Sequence, residues 1–442
     1  MSEHDARVRV DRLDWPTVLP WLALFRTARM ALHPSKLGLA LLLTALLYMG
    51  GMALDVIWGV PAGAVEAHQL DQPEPWSDLA DLRAAAVEAR RVSADAGVFE
   101  ATVAEQQRAF GMLVRSAVAL DFGVSRFLGG RGLASGGVME ALGHMLVVVP
   151  RWLVGWHPVF LLVYFAWAFF ITAILGGAIA RLAAQHACSD RRGSPTEALR
   201  FVGRRYPWFF LAPLIPAVLV MVIGVTLVIV GLLFNLPGLD IVGAVGYGLM
   251  LLAGVAAALL LVGLATGGHL LLPALAVEGT DAFDAISRAY SYVFGRPWRY
   301  LFYSALALVY GAVVYLALSL ALFLALWLTW MCAGAAVFTE AEQGGDRFAA
   351  MLAQPGPAEL LPRQETQELG VTGGVASIVL RGWTMLFITL LPAFAISYYF
   401  CANTWIYLLL RQAVDGTEMD DLFVEARPEA GVPPEKIEPA EG

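Results

Sequence analysis

The chemically conspicuous residues of this chain are charged groups set into apolar sequence. In DAFDAISRAYSYVFGRPW, residues 281–298, Asp281, Asp284, Arg288 and Arg296 lie between two long hydrophobic runs. Acids and bases grouped in this way would suit proton transfer or the binding of an anion. His269, in TGGHLLLP, places a titratable ring within an apolar stretch, where ligand binding is one use and helix packing another. His68, Asp71, Glu74, His144 and His157 have no metal-ligand spacing, and Cys188, Cys332 and Cys401 are scattered without a CxxC pair. GxSxG, Walker and HExxH motifs are absent, as is a GxGxxG in a strand-to-helix setting. The expectation is a protein without a catalytic centre, cofactor or metal.

The elements that must position these groups are membrane helices. Of 442 residues 59% are hydrophobic and only 15% charged, a balance outside that of soluble domains. Apolar runs of the roughly 20 residues that cross a bilayer recur along the chain. They predict an all-α, polytopic bundle with spans at 37–59, 158–184, 208–233, 243–276, 299–331 and 378–410. Residues 1–36 read as a charged N-terminus followed by an interfacial helix, without the pattern of a cleaved signal. Asp55, Arg181 and Arg381 fall at span ends, where they reach water or snorkel.

Orientation follows from the basic residues. Residues 1–36 and 181–206 carry six each, 277–299 three and the tail from 411 three, whereas 234–242 has none and 332–377 two. The positive-inside rule places both termini in the cytoplasm. Residues 60–157 then form an extracytoplasmic helical domain, with helices read in 78–97 and 99–120, a break at 127–137 and an interfacial segment with Trp152 and Trp156 leading into the second span. Residues 332–377 form an outside loop and 411–442 an acidic tail. The net charge of -8 and the lack of a basic stripe exclude a nucleic-acid partner. Arginine supplies 27 of the 29 basic residues, consistent with a bacterial, GC-rich source.

The opening motif has a counterpart. Residues 176–208, GGAIARLAAQHACSDRRGSPTEALRFVGRRYPW, parallel residues 267–298, GGHLLLPALAVEGTDAFDAISRAYSYVFGRPW. Each reads as an amphipathic elbow helix, at 194–206 and 281–295, lying on the cytoplasmic interface. Ser194, Pro195 and Glu197 make a capping box in the first, and Asp281 with Asp284 an acidic version in the second. Ala198, Leu199, Val202 and Tyr206 share one apolar face, as do Phe283, Ile286, Tyr290 and Val293. Pro207-Trp208 and Pro297-Trp298 then turn the chain into the next span. Gly176, Gly177, Gly263, Gly267 and Gly268, with His269, suit close helix packing. Pro213, Pro216 and Pro392 are kink positions, and Asn403 and Thr404 are candidates for interhelical hydrogen bonds. Arg200, Arg204, Arg205, Arg288 and Arg296 have two readings, contact with lipid phosphates or a partner, and solvated faces that fix topology.

The wording GGAIARLAAQHA, EALRF and EGTDAFDAISRAYSYVFGRPWRYLFY resembles a family of uncharacterised multi-pass bacterial membrane proteins of planctomycete type. It is similar more loosely to the membrane domains of glycerophosphodiester phosphodiesterase-like proteins. The resemblance spans roughly 160–310 and implies inner-membrane residence and the repeat, with no activity carried over. Together these readings predict a non-enzymatic inner-membrane scaffold whose partners are membrane lipids, other envelope proteins or a second copy of itself. The alternative is a transporter, channel or lipid translocator using a groove between the repeats.

Overall fold

A computed structural model describes residues 19–59, 97–124, 136–189, 193–337, 347–356, 360–361, 369–419 and 421–423. The opening of the 60–157 segment, the helix read at 78–97, most of the 127–137 break and the tail beyond 423 lie outside the described residues, as do His68, Asp71 and Glu74. The described chain is helical, with no strand. In order the helices are α1 (Thr27–Ala31), α2 (Pro34–Trp58), α3 (Val98–Val118), α4 (Gly137–Gly143), α5 (Val149–Trp156), α6 (Pro158–Ser189), α7 (Pro195–Arg204) and α8 (Tyr206–Gly231). There follow α9 (Leu239–Gly267), α10 (Leu271–Glu278), α11 (Ala282–Gly295), α12 (Pro297–Gly334), α13 (Arg347–Met351), α14 (Gly370–Ile388) and α15 (Leu390–Asp415).

Seven stretches among the described residues are long and apolar enough to cross a membrane, so the chain is an integral, multi-pass membrane protein. Five contain expected spans in full, and a sixth, Pro34–Trp58, covers all but the last residue of the span expected at 37–59. The seventh, Gly137–Trp156, covers the segment expected to lie at the interface. A π-helical turn, His144–Val148, lies in its middle.

Helix α15 is the hub, burying a side chain at nearly every position from Ser397 to Arg411 and packing against α1, α2, α6, α10, α11 and α12. By contrast α8 and α9 turn most of their Leu, Val and Ile side chains outward, as helices facing lipid do. Two breaks interrupt the long apolar stretches. Pro273 has no N–H to give and crowds the carbonyl of His269, so α9 ends at Gly267 and a 3-10 turn, Gly268–Leu270, redirects the chain into the buried α10. Pro392 acts likewise on Ile388, the last residue of α14, and α14 itself begins at Gly370, earlier than the expected 378. Pro213 and Pro216 lie within α8, which continues through them.

Outside the hub, Asp55 at the end of α2 does more than reach water. Its carboxylate accepts from the backbone N–H of Phe99 at 2.8 Å and Glu100 at 3.0 Å, capping α3 from 44 residues away. Glu105 of α3 meets His144 at 3.3 Å and Arg108 at 2.9 Å. The imidazole contact holds its carboxyl below the usual range, burial opposing and Arg108 assisting.

Candidate functional site

Helices α7 and α11 occupy the two expected elbow positions, and a cluster of charged side chains gathers beside α11 from α10 and the end of α15. In α11, Asp281 caps the helix as expected, its Oδ1 accepting from the N–H of Asp284 at 2.9 Å. In α7 the capping box does not form. Ser194 Oγ lies 2.8 Å from Thr196 Oγ1 and makes no cap bond, because a neighbouring hydroxyl competes for it. Pro195 and Pro297 start α7 and α12, Pro207 lies in the first turn of α8, and Trp208 and Trp298 are exposed in their first turns.

Glu278, the last residue of α10, is the centre of the cluster. Its Oε1 accepts from Arg411 Nη1 at 3.0 Å and from the Tyr407 hydroxyl at 2.9 Å, and Arg288 approaches Oε2 at 3.9 Å. Arg411 is only 2% exposed, and its Nη2 also donates to the carbonyls of Glu418 at 2.9 Å and Asp421 at 2.7 Å. Arg288 Nε donates to Asp284 at 2.8 Å. Burial works against the Arg288 charge, but the bonds to Asp284 and Tyr292 and the field of Glu278 win and raise its pKa. Tyr292 donates to Asp415, and burial with that bond pushes its phenol up to about 12.

A second group ties the chain beyond α15 to the first elbow. Arg181 donates to the carbonyls of Ala276 and Phe423, both at 2.6 Å, while its guanidinium lies 4.1 Å from the Phe201 ring. Arg205 donates to the Gly279 carbonyl and lies over the rings of Phe201 and Phe423. Phe423 N donates to the Val277 carbonyl at 3.1 Å. Its ring rests on Gly279, where a Cβ would come within 2.5 Å and where φ is +63°. Glu418, Asp421 and Phe423 thus strap the chain beyond α15 to Arg411, to α10 and to Arg205 at the end of α7. A third contact joins Lys36, 2% exposed on α2, to His186 on α6 at 3.1 Å.

These contacts sort the basic residues singled out in the sequence. Arg205 and Arg288 are half-buried and bond within the protein, and the side chains of Arg200, Arg204 and Arg296 are exposed. Four of the five glycines singled out for packing lie against aromatic rings. Gly176 meets Phe400, Gly177 meets Phe209, and Gly263 and Gly267 face Tyr290 of the elbow rather than a second spanning helix. At Gly268 a Cβ would touch only Leu264 of the preceding turn. His269 sits at the helix break with its ring stacked on Tyr300. Asn403 is buried, and Thr404 bonds the Phe400 carbonyl of its own helix, not a neighbouring one.

Glu278, Tyr407, Arg411, Lys36 and His186 were not singled out in the sequence. Lys36, one of two lysines in the chain and set at the head of an apolar run, carried a usable signal. Among the described residues no group of three or more His, Cys, Asp or Glu is placed to hold a metal ion. Compared with protein-family models, curated proteins and solved structures, the chain matches none.

Proposed function

We propose that the chain is a non-enzymatic inner-membrane scaffold of a bacterium, built on a tandem repeat, whose elbow end meets lipid headgroups or a protein partner. The observation that carries this reading is the use made of the charges. Glu278 is held by Arg411 and Tyr407, and Arg181 and Arg205 grip backbone carbonyls and ring faces, so the described bonds of this cluster stiffen a platform. The exposed Arg200 then faces outward from that platform. The resemblance to planctomycete-type membrane proteins implies inner-membrane residence, and the count of basic residues, with Gly137–Trp156 lying at the interface rather than crossing, favours both termini in the cytoplasm and 60–157 outside. Affinity purification should recover a stoichiometric partner or a selectively enriched anionic lipid, and recovery of neither would refute the scaffold. A reporter active only outside the cytoplasm should work when fused after Gly130 and fail after Gly193; the reverse pair would overturn the orientation.

One observation favours a transporter or lipid translocator instead. The α9–α10 break puts His269 and Tyr300 beside an irregular turn, the kind of discontinuity that lines substrate paths in membrane proteins. Flux of ions, solutes or labelled lipid through reconstituted vesicles, lost in Pro273→Ala, would establish that reading.

A further inference from the structure

We infer that the outward face of α11 and the first turn of α12 form an interfacial site for an anionic phospholipid headgroup, with Arg296 and Arg299 at the phosphate and Phe283, Phe294 and Trp298 at the acyl boundary. This deepens the proposed function and rests on its reading that the elbows lie at a bilayer surface.

The side of α11 that faces the bilayer is marked by Tyr290. Its hydroxyl donates at 3.2 Å to the carbonyl of Leu260, a residue well inside α9, so this side of the elbow looks along the spans. At about 100° per residue, Phe283 and Phe294 fall within roughly 40° of Tyr290. Phe283 is 67% exposed and Phe294 49% exposed, whereas the side about 80–140° round the helix from Tyr290, with Ala282, Ala285 and Ala289, is buried against the core. Trp298 is 81% exposed, and the exposed Leu301 and Phe302 carry the same apolar surface onto α12. A face continuous with the outward surface of a spanning helix is covered by lipid, which commits the occupant. Tryptophan favours the headgroup level, and the exposed Arg296 and Arg299 on either side of it match the charge of an acidic lipid phosphate. Each such arginine strengthens the preference for anionic over neutral lipid by about fivefold.

The test uses the full chain in nanodiscs of phosphatidylcholine, with or without phosphatidylglycerol. Cys332→Ser leaves only the buried Cys188 and Cys401 thiols, so a nitroxide can be placed on Phe283→Cys, Phe294→Cys or, as an aqueous reference, Arg200→Cys. Labels at 283 and 294 should relax with oxygen more than with a water-soluble nickel chelate, and the label at 200 the reverse. In native mass spectra, phosphatidylglycerol retention should fall about fivefold in Arg296→Ala and further in Arg296→Ala/Arg299→Ala. Labels at 283 and 294 as open to nickel as the one at 200 would overturn the whole inference. Immersed labels with unchanged lipid retention would overturn the headgroup site alone. Failure to recover a protein partner bears on the scaffold reading and leaves both readouts untouched.

Discussion

Helices α7 and α11 both follow a Gly-Gly segment and both end at Pro-Trp, yet they turn different surfaces outward. The exposed side of α7 is polar, with Thr196, Glu197, Arg200 and Arg204, and its large ring, Phe201, is buried beneath Arg181 and Arg205. The exposed side of α11 carries Phe283 and Phe294, while its buried side is lined with alanine. The charge arrangements differ in parallel. At the first elbow the described arginine bonds run to neutral carbonyls, whereas at the second a carboxylate, Glu278, gathers Arg411, Tyr407 and Arg288. Similar local sequence therefore fixes where the chain turns, and the packing partners decide which side faces out and how each joint is locked.

The sharpest break of that comparison is at the two locks. Arg411→Leu leaves the half-buried Glu278 without its closest cation and also frees two carbonyls, so it should lower stability by about 3–5 kcal/mol. Arg181→Leu, which surrenders bonds to two neutral carbonyls and the contact with the Phe201 ring but leaves no carboxylate without its partner, should cost about 1.5–3 kcal/mol. Thermal unfolding in detergent reads both, and adding Glu278→Gln to Arg411→Leu should restore part of the loss. Equal costs at Arg181 and Arg411 would erase the distinction.

The Gly-Gly pairs give the next contrast. A Cβ at Gly177 would lie 2.7 Å from the ring of Phe209, which is fully buried and has no room to yield. Gly177→Ala should cost about 1–3 kcal/mol. Gly268 has only a 3.4 Å neighbour in its own Leu264 side chain, and Gly268→Ala should change the unfolding temperature little or raise it.

A pH test separates the same two elbows. Counting back from Pro-Trp, Tyr292 of α11 stands where α7 has Val202. With its folded pKa raised from 10.0 to about 12, Tyr292 contributes stability that is complete below pH 10 and lost as pH rises toward 12. Tyr292→Phe should cost about 1.5 kcal/mol at neutral pH. It should also remove that share of the alkaline loss, measured as the difference between the variant and the parent.

What could be read from the sequence was local. Five of the six expected spans, the elbow positions and the Pro-Trp turns follow from composition, periodicity and proline chemistry within a few residues, and Asp281 and Pro392 behaved accordingly; the last span starts earlier, at Gly370, and Gly137–Trp156 is long and apolar enough to be a seventh. Phe283 did not, because a helix at the membrane has two apolar sides. The smallest residues go to the close helix contact and the large rings to lipid, the reverse of a soluble helix, where burial draws the rings inward. Glu278 and Arg411 are 133 residues apart, and no spacing rule links them; only the path of α15 through the bundle does. The Pro273 break escaped notice because the residues around it are as apolar as a continuous span.

The smallest difference lies in the caps, and it bears on whether the elbows are held locally or by the core. Asp281→Ala removes a bond to a backbone N–H that is otherwise unsatisfied at the start of α11, at a cost of about 1 kcal/mol. Ser194→Ala removes a hydroxyl engaged with Thr196, and should cost at most a few tenths of a kcal/mol. If Ser194→Ala proved as damaging as Asp281→Ala, α7 would need its own cap. If neither moved the unfolding temperature, burial of Ala198, Phe201 and Val202 in one elbow and of Ala282, Ala285 and Ala289 in the other would be what holds both helices in place.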